Sequence, residues 1–133
     1  RVYPPEPPER CRHWCEYCRS QEAYSPDVFS LEHIHSRSRG GSTTLDNLAL
    51  PCQGCNNHKA ARTQARDPQT GEIVPLFHPR QHDLSEHFAW SADYMQVIGQ
   101  TPTGRATVTA LQLNRTRLIN LRRIIRNSGL HSP

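Results

Sequence analysis

The sequence predicts an α+β fold, because strand-like and helix-like stretches alternate along its 133 residues. Two Cys-x-x-Cys pairs, at residues 15–18 and 52–55, can hold the first half of the chain together at one point. Residues 88–98 contain two strand-like stretches with a turn near Ala92-Asp93, which predicts a β-hairpin. Residues 101–125 begin with Thr-Pro, a typical helix start, and carry apolar residues at helical spacing together with several Arg. We therefore expect a core stapled by cysteines, followed by a hairpin and a basic helix.

Two further segments complete the predicted secondary structure. Residues 28–33 (VFSLEH) alternate between apolar and polar side chains, which predicts a β-strand. A loop containing Gly40-Gly41 separates this strand from the second cysteine pair. Residues 56–66 (NNHKAARTQAR) contain good helix formers and neither Gly nor Pro, so we expect a helix that ends before Asp67-Pro68.

Length and composition favour one domain with a modest core. Of the 133 residues, 35% are hydrophobic and 11 are Pro. Residues 1–10 are Pro-rich and predict an extended arm, residues 11–66 the stapled core, and residues 67–133 an extension packed on that core. No run of about 18 apolar residues is present, so no membrane span is expected. No signal peptide is visible either, and we expect a cytoplasmic location.

The distribution of charge indicates an anionic partner. The net charge is +4, but the last 40 residues carry six Arg and no acidic residue. Of the 16 basic residues all but one are Arg, a side chain that binds phosphate in a bidentate manner. Nucleic acid is therefore the expected partner, with Arg62, Arg122 and Arg123 among its contacts. A basic helix that is merely solvated is the alternative interpretation.

The four paired cysteines predict a structural zinc site. A Cys-x-x-Cys turn directs both sulfurs to one point, so Cys15, Cys18, Cys52 and Cys55 can complete a tetrahedral thiolate shell. A redox role would place the motif at a helix start in a βαβ pattern, which the sequence does not show. Cys11 is left over, and we interpret it as a buried free thiol or an alternative zinc ligand.

The residues between and just after the cysteine pairs could form a second metal site. Glu32 and Asn56 offer the hard oxygen ligands that Mg²⁺ or Mn²⁺ prefers, with water and substrate completing the shell. His33 follows Glu32 directly, and histidine can act as a general base near neutral pH. Arg37 and Arg39 flank the Gly-Gly loop and could contact phosphate. Together these groups could hydrolyse a phosphodiester bond, although each alone also has an ordinary structural explanation.

The stretch from Cys15 to Lys59 resembles the zinc-containing, bacterial type of the HNH endonuclease family. It contains, in order, Cys-x-x-Cys, Glu-His, Gly-Gly, Asn-Leu, and a Cys-x-x-Cys that is followed by Asn and, three residues further on, by Lys. The resemblance implies the ββα-metal fold, with His33 as the base that activates water. It also implies that Asn47 fixes the loop that orients this base, and that Lys59 lies near the phosphate.

The resemblance further implies that Glu32 and Asn56 hold the catalytic Mg²⁺ or Mn²⁺. Two positions depart from the family pattern. Glu32 stands where Asp is commoner, and His35-Ser36 stands where Pro is frequent soon after the first His. The second departure offers His35 as an additional metal ligand or phosphate contact.

Two functions stay open at this point. The first is a metal-dependent endonuclease acting on nucleic acid, with double-stranded DNA as the expected substrate, either alone or as the cutting domain of a larger defence or CRISPR-type, RNA-guided complex. The second is a catalytically inactive zinc module that binds nucleic acid or a protein. The joint presence of the acid Glu32, the base His33 and the ligand Asn56 favours the enzyme, because a binding module needs none of these residues.

Overall fold

The computed structural model describes residues 14–129, so the predicted arm and Cys11 lie outside the described residues. Helices and short strands alternate along the chain, which confirms the α+β class. The elements are β1 (Glu32–His33), β2 (Leu48–Ala49), α1 (Gln53–Lys59), β3 (Gln64–Arg66), β4 (Ile73–Pro75), α2 (Leu84–His87), β5 (Phe88–Trp90), β6 (Val97–Gly99), α3 (Pro102–Ala110) and α4 (Thr116–Asn127).

The strands form three separate antiparallel pairs within residues 14–129. β1 pairs with β2, so that Glu32 lies opposite Ala49 and His33 opposite Leu48. β3 pairs with β4, and β5 pairs with β6. β1 is shorter than the predicted strand of residues 28–33, because only its last two residues find a partner strand. Together β1, β2 and α1 follow one another in the order strand, strand, helix.

One hydrophobic cluster connects the cysteines to the C-terminal half of the chain. The four thiols pack with apolar side chains from almost every element, and the most deeply buried include Leu111 and Leu113, both with 0% exposure. Phe77 and Phe88 contribute an edge-to-face ring pair with centroids 5.1 Å apart. The C-terminal extension therefore shares its core with the cysteine-stapled half.

The helix predicted for residues 56–66 is wrong at both ends. The observed helix α1 begins at Gln53 and ends at Lys59, and Ala60 takes a positive φ of 52° that stops it. Gln64–Arg66 then becomes β3 through pairing with β4. The helix-forming residues Gln, Ala and Arg had indicated a helix there, and backbone pairing with a partner strand overrides that weak local preference.

The C-terminal helical stretch begins as predicted but is broken in two. Thr101 caps α3 by accepting a hydrogen bond from the Gly104 amide at 3.0 Å, and Pro102 is the first helical residue. The chain then turns at Gln112, whose φ is 49°, before α4 begins at Thr116. Because Leu111 and Leu113 would point to different faces of a continuous helix, the break allows both to enter the core.

None of the helices formed by residues 14–129 combines the length and the apolar character needed to cross a lipid bilayer.

Candidate functional site

The four paired cysteines meet at a single point. Their sulfur atoms all lie within 4.8 Å of one another, and all four residues are buried. The Cys18 and Cys52 sulfurs are 3.7 Å apart. A tetrahedral zinc ion with Zn–S bonds of about 2.3 Å would separate its sulfurs by about 3.8 Å, so the donor set fits structural zinc in both chemistry and spacing.

Hydrogen bonds to the sulfurs favour their thiolate form. The amides of Tyr17 and Cys18 donate to the Cys15 sulfur at 3.4 Å, and the Cys55 amide donates to the Cys52 sulfur at 3.4 Å. The guanidinium of Arg115 lies 3.7 Å from both the Cys52 and the Cys55 sulfurs. Four thiolates around Zn²⁺ carry a net charge of −2, and Arg115 offsets part of it. The sequence analysis did not single out Arg115, since nothing local distinguishes it from the other Arg residues.

A shallow groove beside the cysteine cluster brings together the acid, the histidine and the asparagine. β1 supplies Glu32 and His33, and α1 supplies Asn56 directly after Cys55. The groove is open to solvent and measures about 480 Å³, and its lining residues are Glu32, His33, Ser36, Arg37, Asn56, Asn57, Ala60 and Ala61. The carboxylate of Glu32 and the amide oxygen of Asn56 are both hard ligands, so their chemistry fits Mg²⁺ or Mn²⁺.

Asn47 ties together the loop that joins β1 to β2. Its side-chain oxygen accepts from the His35 amide at 3.0 Å, and its amide group donates to the carbonyls of His35 at 3.0 Å and Ser42 at 2.7 Å. Gly41 packs so closely here that a Cβ would lie 1.8 Å from the His35 carbonyl oxygen, which explains the second glycine of the Gly-Gly pair. The loop is therefore held in one shape immediately after His33.

His33 makes one side-chain hydrogen bond, with Thr43. Its Nε2 atom lies 2.8 Å from the Thr43 hydroxyl oxygen. The sequence analysis did not identify Thr43. The only signal was its place in the polar loop between Gly-Gly and Asn47, which by itself indicates a turn.

Lys59 is buried on α1. Its side chain is 4% exposed, and its ammonium group donates to the Ile34 carbonyl at 2.9 Å. It borders a second cavity, of about 530 Å³, that also contacts His78 and His82, and it does not line the groove that holds His33. Burial lowers the pKa of the Lys59 ammonium, and the nearby charge of Arg62 lowers it further. Lys59 thus connects α1 to the loop after β1.

Two of the five arginines predicted to bind nucleic acid have structural partners instead. Arg122 is 5% exposed, with its guanidinium stacked 5.2 Å above the Trp90 ring. Its hydrogen-bond acceptors are the carbonyls of Met95, Leu113 and Cys18 and the side-chain oxygen of Asn114. Arg62 donates to the carbonyls of His58, Lys59 and Ala110, joining the end of α1 to α3. The buried position of Arg122 could not be anticipated, because helical periodicity does not show which Arg on α4 faces inward.

Arg62 is nevertheless exposed, as are the other three predicted arginines. Arg37 lines the groove itself. Arg39 lies in the same loop and reaches the Ala61 carbonyl at 3.4 Å, and Arg123 donates to the Asn120 side chain at 3.0 Å. The Nε2 atom of His35 forms a hydrogen bond with the Arg39 carbonyl at 2.7 Å, which connects two residues of the same loop. Of the five predicted arginines, Arg122 is therefore the buried one, and the other four are exposed.

Comparison with known proteins agrees with this geometry. The family model described as HNH endonuclease matches residues 15–62, which span both cysteine pairs, β1, β2 and α1. No curated protein and no solved structure matches the chain. The match confirms the resemblance of this segment to the HNH endonuclease family that the sequence indicated.

Proposed function

We propose that the protein is a metal-dependent endonuclease that hydrolyses phosphodiester bonds of nucleic acid, with double-stranded DNA as its substrate. The observation that carries this proposal is the single groove lined by Glu32, His33 and Asn56. These residues supply a general base and two hard oxygen ligands that line the same groove. The match of residues 15–62 to the HNH endonucleases supports the same chemistry.

Each residue of the groove has a separate task in this proposal. Glu32 and Asn56 would hold one Mg²⁺ or Mn²⁺, which when bound stabilises negative charge on the phosphate and the leaving 3′ oxygen. His33 accepts a proton from the attacking water, as a general base. Arg37 meets a phosphate at the exposed side of the groove. By family resemblance, the products would carry a 5′ phosphate and a 3′ hydroxyl.

The zinc site has an indirect part. Because Asn56 directly follows Cys55, zinc bound at the four cysteines would fix the position of Asn56 in the groove. The same proposal includes a role for this protein as the cutting domain of a larger defence or CRISPR-type complex, which would use the same chemistry.

Cleavage of supercoiled plasmid tests the proposed function. We expect nicked or linear product with Mg²⁺ or Mn²⁺ and none without added metal. His33→Ala should lower the rate by about 10²–10⁴-fold, the usual contribution of a general base. Asn56→Ala should also lower it, with Asn127→Ala, the same chemical change at an exposed residue of α4, as the matched control.

The alternative function makes a different prediction for the same experiment. A catalytically inactive zinc module would retain salt-sensitive binding to DNA but would leave the plasmid intact at every metal and enzyme concentration. Cleavage that persists unchanged in His33→Ala would point to a contaminating nuclease and would count against the proposal.

A further inference from the structure

The hydrogen bond between His33 and Thr43 bears on how the base works. The Nε2 atom of His33 lies 2.8 Å from the Thr43 hydroxyl, and both side chains are half-buried. Within residues 14–129 the structure shows no hydrogen bond to the other ring nitrogen, Nδ1. Nε2 is therefore held by Thr43, whereas Nδ1 has no hydrogen-bond partner among the described residues.

Asn47 holds Thr43 from both sides along the chain. Its side-chain amide donates to the carbonyl of Ser42 at 2.7 Å, and its backbone amide donates to the carbonyl of Thr44 at 2.9 Å. The residue between these two carbonyls is Thr43. Since Ser42 and Thr44 are both fixed by one residue, the Thr43 hydroxyl has a defined position beneath the His33 ring.

A neutral imidazole carries one proton, and its location decides which nitrogen can act as a base. If Nε2 carries the proton, Nδ1 has the free lone pair that a general base needs. If Nδ1 carries the proton, the nitrogen without a protein partner can only donate, and His33 cannot take a proton from water there.

We propose that Thr43 is a positioning residue for His33: its hydroxyl accepts a hydrogen bond from Nε2–H and so fixes the tautomer in which Nδ1 receives the proton of the attacking water. This inference rests on the proposed function and extends it. In the reaction the water O–H bond breaks, the proton forms a bond to Nδ1, and the oxygen keeps the electron pair with which it attacks phosphorus. The Nε2–H bond to Thr43 is present before and after this transfer, so the ring does not need to turn.

The same geometry explains how Asn47 could influence the orientation of His33. Asn47 fixes Thr43, and Thr43 fixes the imidazole, so the orientation of His33 depends on a chain of two side chains. No contact between Asn47 and the His33 ring is needed.

Three variants of the full chain test the proposal, with two readouts. Thr43→Val keeps the shape of the side chain and removes the hydroxyl, Thr43→Ser restores the hydroxyl, and Thr109→Val makes the Thr-to-Val change at an exposed site on α3. The first readout is ¹⁵N NMR of the His33 ring, which distinguishes the two tautomers without any cleavage. The second is steady-state cleavage of plasmid with Mg²⁺.

We expect the Nε2–H tautomer to predominate in the wild type and in Thr43→Ser, and a mixture in Thr43→Val. The kcat of Thr43→Val should fall about tenfold, the value of one hydrogen bond, with KM nearly unchanged, while Thr43→Ser and Thr109→Val stay within about twofold of the wild type.

The two readouts separate the failure of this inference from the failure of the proposed function. An Nδ1–H tautomer in the wild type overturns the role of Thr43, whether or not the variants fold. An unchanged tautomer together with an unchanged kcat in Thr43→Val overturns it as well. If the wild type has no nuclease activity, the proposed function fails, and the ring NMR still decides whether Thr43 holds the tautomer.

Discussion

At the scale of single residues, Arg122 shows how burial changes the role of a charged side chain. Its guanidinium offers five N–H donors, and the structure provides four oxygen acceptors and an aromatic face around it. An arginine satisfied in this way is a cross-link between segments. Arg123, the next residue, is exposed and has one side-chain partner. The neighbouring residues Arg122 and Arg123 of α4 therefore have different environments, one buried and one exposed.

We predict that Arg122→Met lowers the free energy of unfolding by about 2–3 kcal/mol, because the oxygens that it leaves behind are buried without partners. Urea unfolding followed by circular dichroism measures this. Arg123→Met is the matched control and should change the free energy of unfolding by less than about 0.5 kcal/mol. Equal stability of the two variants would contradict the structural role of Arg122.

Asp67 is the acid with the most closely defined surroundings. Its side chain is fully buried, and both of its oxygens accept hydrogen bonds from Arg105, at 3.0 and 2.8 Å. The Gln69 amide and the Thr70 hydroxyl donate to it as well, at 3.0 and 2.9 Å. The hydrogen bonds from Arg105 are the main cause that holds the pKa of Asp67 well below its usual range.

This depressed pKa predicts the pH dependence of stability. The unfolded chain has an Asp pKa of about 3.9, so Asp67 contributes stability above that pH and loses the contribution as the pH falls towards its folded pKa. Asp67→Asn should therefore be less stable than the wild type at pH 7, with a difference that narrows below about pH 4. Urea unfolding at pH 7, 5 and 3 gives the comparison. A difference that stays constant across this range would rule out the linkage.

At the scale of secondary-structure elements, sequence patterns were reliable where chemistry is local. Thr101-Pro102 predicts the start of α3 because a cap involves residues only a few positions apart. The cysteine spacing predicts the thiolate cluster because each Cys-x-x-Cys is itself a local turn. The end of α1 at Ala60, the strand of residues 64–66 and the break at Gln112 could not be predicted. Each depends on a partner that is distant in sequence.

The same distinction separates the parts of the candidate site. The Glu32-His33 pair and Asn56 lie on the groove because short elements on either side of the loop deliver them. The environments of Lys59 and Arg122 depend on the Ile34 carbonyl and on several loops, which no spacing rule reveals. Sequence reasoning found the residue types of the site but could not tell which basic residues remain exposed.

Helix α1 and the segment before α4 are coupled through the thiolates, and we predict that this coupling retains zinc. Arg115→Met should release zinc to a chelator faster than the wild type, because the cluster loses a compensating charge. Gly54→Ala should have the same direction of effect, since a Cβ there would lie 2.6 Å from the Arg115 guanidinium and displace it. A colorimetric zinc-release assay measures both rates.

Arg117→Met is the control for these variants, because Arg117 is an exposed residue in the first turn of α4, two positions after Arg115. Its zinc release should match the wild type. Identical release rates for Arg115→Met, Gly54→Ala and Arg117→Met would show that Arg115 does not hold the cluster.

At the scale of the whole molecule, we predict that the exposed Arg37 and Arg123 contribute to the salt dependence of nucleic-acid binding. Each phosphate contact that is lost should reduce the slope of log affinity against log salt concentration by about 1. In a His33→Ala background, Arg37→Ala and Arg123→Ala should each show this reduction with a fluorescent duplex. Arg122→Met should keep the full slope, since its charge is enclosed by the protein. A reduced slope for Arg122→Met would contradict its burial.

The contact between Arg122 and the Cys18 carbonyl joins residues 104 positions apart, and this distance has a consequence for biosynthesis. All four paired thiols have been made once the ribosome has passed Cys55, whereas Arg115 follows 60 positions later. At 5–20 residues per second, roughly 3–12 s separate these events. During that interval the nascent chain can take up a metal ion before any guanidinium covers the thiolates. We therefore expect the four thiols to be able to bind a metal ion before Arg115, which contacts two of their sulfurs, has been synthesised.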